Sequence, residues 1–232
     1  MPLLDQRVAI ITGAKGGLGN FVTAAFLQEG ATVVGVSRSI QASDFPNPRF
    51  IAMPAELSSG DAANRLAAEV AQRFQKIDIL VHLMGGFAGG KPIHETDDAT
   101  LDRMLDMNLK SAFYIARAVL PHMRTRGSGR ILAIGSRAAV EPAAQAGAYA
   151  ASKAGLVSLI RTLAAENKDR SISANVILPA TMDTPANRAS NPKADYSKWV
   201  QPAQVANLLL NLAADSASQI SGAVIPIYGG EV

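Results

Sequence analysis

Val8-Ala9-Ile10-Ile11-Thr12-Gly13-Ala14-Lys15-Gly16-Gly17-Leu18-Gly19 is the stretch from which the rest of this 232-residue chain can be read. The run 8–12 is continuously apolar up to its closing threonine, as expected of a strand covered on both faces in a parallel sheet. Glycines at 13, 17 and 19 let the backbone curl tightly and approach a bound group closely. A helical stretch from about Asn20 to Gln28 follows, closed by Gly30. Strand, glycine turn and helix N-terminus in this order form a phosphate cradle, because unpaired N–H groups and the positive end of the helix dipole meet there. The spacing G-x-x-x-G-x-G is neither G-x-G-x-x-G nor a Walker A loop, which would need G-K-[ST]. A plain tight turn is the competing reading; placement between the first strand and a helix favours the nucleotide.

Outward from this unit the chain keeps alternating. Strands are expected at Thr32–Val36, Phe50–Met53, Ile77–Val81, Ile131–Ile134, Ala174–Leu178 and Ala223–Ile227. Helices are expected at 59–74, where Ala62, Leu66, Val70 and Phe74 recur at helical spacing, and at 96–105, 109–123, 149–166 and 202–213. Strands separated by helices give right-handed crossovers, hence a doubly wound α/β fold with a parallel sheet and helices on both faces. No linker, low-complexity break or repeat interrupts the pattern, so residues 1–232 read as one domain.

Composition excludes several chemistries. The chain has no cysteine, so disulfides, zinc–thiolate sites and thiol nucleophiles are out. Hydrophobic residues make up 48% and charged residues 18%, which suits a packed core. The net charge is only +3 and the cations are scattered, so no nucleic-acid stripe is expected; Arg124, Arg126 and Arg130 read as a basic helix C-terminus. No window of eighteen apolar residues spans a membrane, and Met1 to Arg7 lacks the pattern of a signal peptide, so a cytoplasmic protein is expected. His82, His94 and His122 show no ligand spacing, and no metal is expected; His82 ends a strand near the glycine turn.

The reactive candidates lie where open α/β sheets bind ligands, beyond the carboxyl ends of the strands. Tyr149 and Lys153 are four apart and share a helix face. A phenol near pKa 10 becomes a useful proton donor-acceptor when an ammonium and a nicotinamide cation lower its pKa. Ser136 closes the fifth strand and is placed to hydrogen-bond a substrate oxygen. Asn108 heads a helix and is placed to hold water or Lys153 in a proton relay. At the end of the second strand, Ser37 and Arg38 stand where an acidic residue would repel a 2′-phosphate. With Lys15 as a second cation they favour NADP(H), with NAD(H) the alternative. Remaining candidate cofactor contacts are Gly16, Leu18, Glu56, Leu57, Met84, Gly85, Pro179, Thr181 and Thr184. Phe87 and Trp199 are candidates either for stacking on a flat substrate ring or for anchoring their loops.

T-G-x-x-x-G-x-G at 12–19, Asn108, Ser136 thirteen residues before Tyr149, Y-x-x-x-K at 149–153 and a Pro179/Thr184 loop together resemble the short-chain dehydrogenase/reductases, from the first strand to Gly229-Gly230. The resemblance implies seven strands in the order 3-2-1-4-5-6-7. It also implies Tyr149 as general acid/base, Lys153 lowering its pKa and binding the ribose, Ser136 placing the carbonyl and Asn108 supporting a relay. Dimers or tetramers built on the helices near 108 and 149 are implied too, as is a segment after 184 that shapes the substrate pocket. The chain departs from the usual pattern with His82-Leu83-Met84-Gly85 in place of Asn-Asn-Ala-Gly, and Pro179-Ala180 in place of Pro-Gly.

Gly85-Gly86-Phe87-Ala88-Gly89-Gly90, and Leu178 through Arg188 on to Pro192, Ala194-Asp195-Tyr196-Ser197 and Trp199, resemble the dihydropteridine reductase branch of that family. Ser136 and Arg38 resist this likeness, since members of that branch lack the serine and carry an acidic residue near position 37. Three readings stay open: an NADPH-dependent reductase of a small carbonyl compound, a reductase of a quinonoid dihydropterin or similar planar imine, and a non-catalytic NADP(H) sensor. A sensor has no need of a proton donor beside the nicotinamide, which argues against the third.

Overall fold

The computed structural model describes residues 2–230. Seven strands form one parallel sheet in the order β3-β2-β1-β4-β5-β6-β7. They are β1 (Val8–Thr12), β2 (Thr32–Ser37), β3 (Phe50–Pro54), β4 (Ile79–His82), β5 (Gly129–Ile134), β6 (Ile172–Pro179) and β7 (Val224–Ile227). The helices are α1 (Gly19–Gln28), α2 (Gly60–Phe74), α3 (Asp98–Leu105), α4 (Ser111–Arg126), α5 (Gly147–Glu166), α6 (Pro185–Ser190) and α7 (Pro202–Ala213).

The period-2 alternation of each strand sorts the core into two layers. Val8 and Ile10 of β1 join Leu66, Val70, Ile115, Leu156 and Ile160 on the α2/α4/α5 face. Ala9 and Ile11 face the other way and join Val22, Phe26, Leu209 and Leu212 of α1 and α7. This two-sided burial explains the unbroken apolar run 8–12. The register pairs Thr12 with both Val36 and His82, so the ends of β1, β2 and β4 arrive level beneath the glycine turn.

Two elements differ from the sequence expectation. The helices expected at 96–105 and 109–123 are one continuous helical path, because a π-helical turn at Asp106–Lys110 joins α3 to α4. The wider turn shifts the apolar phase, which a fixed 3.6-residue period reads as a break. Asn108 therefore does not head a helix but sits inside this turn, fully buried. The short α6 has no counterpart among the expected helices. Its signal is nonetheless present, since the Thr184 side chain accepts from Asn187 N at 3.3 Å and Pro185 occupies the first turn.

Candidate active site

Above the end of β1, Gly13 takes φ +70°, a conformation that favours glycine, and the amide of Gly16 donates to its carbonyl at 2.9 Å. A Cβ on Gly19 would stand 2.1 Å from the Gly13 carbonyl oxygen, so the first residue of α1 tolerates no side chain. A Cβ on Gly17 would stand 3.0 Å from Thr184 Cγ2, which fixes the 179–184 loop against the turn. No side chain caps the N-terminus of α1. The amides of Asn20, Phe21 and Val22 donate to the carbonyls of Gly16 and Leu18, so it is the glycine turn just before them that fits a pyrophosphate.

At the end of β2 the Ser37 hydroxyl is buried without a hydrogen-bond partner, and Arg38 is exposed and forms no hydrogen bond or ion pair among the described residues. Lys15 differs: its Nζ lies 2.9 Å from Asp44 Oδ1 and donates to Ser39 O at 3.4 Å. The residues present fit a dinucleotide, with the exposed, unpaired Arg38 at the end of β2 as the accessible cation on that side.

The reactive candidates converge across β5 and α5. Ser136, two residues beyond β5, accepts from Ala138 N at 3.2 Å and shares the cleft wall with the Tyr149 phenol. Burial pushes the phenol above its ordinary pKa, and the Ser136 hydroxyl offsets part of that rise. Lys153 is 5% exposed, donates from Nζ to Ile134 O at 2.9 Å, and is lowered by burial to about 8. In the chain alone the phenol is therefore raised, not lowered as the Y-x-x-x-K spacing suggests. The ammonium is turned toward the β5 carbonyl and is not among the influences on the phenol.

Asn108 is tied on three sides. Its Oδ1 accepts from Gly86 N at 2.9 Å, and its Nδ2 donates to Gly86 O and to Ser152 Oγ, each at 3.0 Å. Ser152 in turn donates to the Tyr149 carbonyl at 2.7 Å. The Asn108 side chain thus links the glycine-rich loop 85–90 to the backbone of the Tyr149 helix. A Cβ on Gly85 would lie 2.8 Å from Asn108 Oδ1 and 3.2 Å from Lys153 Nζ, so glycine there keeps the three elements in contact.

A cleft of about 1120 Å³ opens over these groups. Its walls include Gly13, Gly16, Gly17, Leu18, Gly19, Gly85, Phe87, Ser136, Tyr149, Lys153, Pro179, Thr181 and Thr184, so most of the expected contacts share one cavity. Phe87 is 67% exposed and meets Tyr149 edge-on, ring centroids 5.0 Å apart. Lys15, Ser37, Arg38 and Glu56 lie outside this cleft, toward the β2–β3 side, while Leu57 is buried in the core and Met84 packs against it. Trp199 also differs from its substrate-pocket expectation. It is 7% exposed, meets Tyr196 at a tilt with ring centroids 4.8 Å apart, and is absent from the cleft walls, because the loop uses the indole as its own anchor.

His82 ends β4 opposite Thr12, as the sequence led one to expect, but its partners and those of Arg137 and Glu141 are visible only in the fold. His82 joins the turn to the π-helical segment: its Nδ1 lies 2.9 Å from Thr12 Oγ1 and its Nε2 3.3 Å from Ser111 Oγ. Leu83 N donates to Thr12 Oγ1 at 3.2 Å and Ser111 Oγ donates to Met107 O at 2.7 Å. These directions leave the Thr12 hydroxyl to donate to Nδ1 and place the imidazole proton on Nε2. Burial, with the nearby Lys153, lowers His82 to about 3, so it is neutral. Arg137 and Glu141 pair at 2.7 Å on the cleft wall, and Arg137 stacks on Tyr228. Only the tertiary contacts single out Arg137 and Glu141; their residue types alone carry no pattern. Among the described residues no group of three or more His, Asp or Glu could hold a metal, and no helix is long and apolar enough to cross a membrane.

A family model described as short chain dehydrogenase matches residues 7–195. The chain is 30% identical to the 2-dehydro-3-deoxy-D-gluconate 5-dehydrogenase of Pseudoalteromonas atlantica, over 98% of this chain and 96% of that protein. It is 29% identical to the 3-oxoacyl-[acyl-carrier-protein] reductase FabG of Thermotoga maritima, over 99% of each. A solved structure from Burkholderia xenovorans, assigned to the short-chain dehydrogenases/reductases, superposes with a TM-score of 0.92 at 27% identity, covering 100% of this chain and 98% of the other. A family match over most of the chain, full-length relatives named as dehydrogenases and reductases, and a shared backbone lead to one conclusion: the chain belongs to the short-chain dehydrogenase/reductase family and is an NAD(P)-dependent oxidoreductase.

Proposed function

We propose that this protein is an NADP(H)-dependent reductase of a small carbonyl compound, with Tyr149 as proton donor. The observation that carries the reading is the convergence of Ser136, Tyr149 and Lys153 on one cleft wall, with Lys153 one helical turn beyond Tyr149. The bound nicotinamide supplies the hydride. Ser136 orients the carbonyl oxygen and Tyr149 donates its proton to that oxygen as the alcohol forms. A phenol raised by burial holds its proton at neutral pH, which suits the reductive direction. Lys153, whose ammonium and the Asn108 amide both border Gly85, is the group that returns a proton to Tyr149. Arg38 supports the preference for a 2′-phosphate, since it is exposed and unpaired among the described residues, whereas the Ser37 hydroxyl is buried beneath the surface. The partly exposed Phe113 on α4, covered by Arg117, supports assembly of a homodimer or homotetramer through that helix.

Tyr149→Phe tests this reading. Turnover of NADPH with a ketone panel should fall by about 10²–10⁴, the worth of one positioned proton donor, while NADPH binding stays within about twofold of wild type. Residual turnover near wild type would sink it.

A second reading, reduction of a quinonoid dihydropterin or similar planar imine, is favoured by Phe87. An exposed aromatic set edge-on to the proton donor offers a flat ring a stacking surface. NADPH consumption with quinonoid dihydropterin beside ketones and diketones separates the two. Turnover of the pterin alone supports the planar imine; turnover of ketones alone supports the carbonyl.

A further inference from the structure

The Lys15–Asp44 pair bears on how strongly the protein favours NADP(H), a role that rests on the 2′-phosphate assignment proposed above. Asp44 lies at the end of a single helical turn, Ala42–Asp44, which comes shortly after β2. Its carboxylate is fixed at both oxygens: Oδ2 accepts from Gln41 N at 2.8 Å, and Oδ1 lies 2.9 Å from Lys15 Nζ. Lys15 reaches from the glycine turn across to this loop and also touches Ser39 O, so its ammonium sits beside the residues that succeed β2. Of the two cations available to a 2′-phosphate, one is free and the other already has an anion.

We propose that Asp44 is a specificity-determining residue: a built-in counter-ion that competes with the 2′-phosphate for Lys15 and so restrains the preference for NADP(H) over NAD(H). A phosphate arriving at Arg38 must either share Lys15 with a carboxylate or draw Lys15 away from it. In both cases two anions stand on one ammonium, and their repulsion weakens NADP(H) alone. NAD(H), with only a hydroxyl there, is not penalised. Hydrogen bonding to Lys15 and to the Gln41 amide holds Asp44 below the usual carboxylate range, so the competitor stays charged through neutral pH.

Asp44→Asn is the direct test, because an amide oxygen still accepts from Gln41 N while the charge is lost. Dissociation constants for NADPH and NADH are measured by cofactor fluorescence for wild type, D44N, K15A and the double variant. D44N should bind NADPH about threefold tighter, the scale of one exposed ion pair, with NADH unchanged. The gain should shrink at high salt and vanish in the K15A background. Weaker NADPH binding by D44N would overturn the proposal and make Asp44 a support that positions Lys15. Equal tightening of both cofactors, or no change in either, would overturn it too. Failure of the 2′-phosphate assignment looks different: wild type would then favour NADH, and R38A would leave both constants unmoved.

Discussion

Replacing Lys153 with methionine should make the folded protein more stable while removing its turnover. The ammonium is 5% exposed, has one hydrogen bond, to Ile134 O at 2.9 Å, and is lowered by burial from 10.5 to about 8. At about 1.4 kcal/mol per pKa unit, holding the charged form in place at pH 7 costs about 3 kcal/mol relative to the unfolded chain. Methionine has a similar length and no charge, and it gives up one hydrogen bond worth about 1 kcal/mol. A net gain of about 1–2 kcal/mol remains, which for a chain of this size is roughly 4 °C in Tm.

The pH dependence separates this cause from simple repacking. Between the folded pKa of about 8 and the unfolded value near 10.5, the unfolded chain binds more protons at this site than the folded chain. Wild-type stability therefore gains from Lys153 as pH rises through that window, and K153M lacks the gain. Differential scanning fluorimetry at several pH values should show K153M ahead below pH 8 and the gap closing above it. A K153M protein less stable than wild type at pH 7, or a gap that does not change with pH, would refute the reasoning.

Other perturbations test neighbouring parts of the site. Arg38→Asp should move preference from NADPH to NADH in a ratio of kcat/KM values; an unchanged ratio would remove Arg38 from the cofactor site. Phe87→Ala should raise KM for planar substrates with little change in Tm, because the ring is mostly exposed and its contact is with Tyr149. Asn108→Ala deletes the bonds to Gly86 and Ser152 at a fully buried position, and should cost about 2–3 kcal/mol in urea unfolding. A loss below about 0.5 kcal/mol would mean the glycine loop is held by other contacts.

The legible parts of the fold share a physical origin in local pattern. Strand positions are readable to within about two residues at most ends, because burial on both faces writes itself as unbroken apolar runs. The π-helical turn is not readable, since an inserted residue inside a helix looks like two shorter helices. Trp199 shows the same limit at the site. Its residue type suits both a stacking platform and a loop anchor, and only the contact with Tyr196 and its burial decide for the anchor.

By itself, then, the sequence determined the strand–helix alternation, the phosphate turn and the Ser136, Tyr149 and Lys153 set, because each is fixed by spacing along the chain. Tertiary structure alone decided which way Lys153 points, that the unliganded phenol is raised, that His82 bridges Thr12 and Ser111 as a neutral ring, and that Asp44 holds Lys15. These are matters of burial and of partners distant in sequence. Charge and hydrogen-bond energies depend on the few ångströms between side chains, and only the folded chain sets those distances.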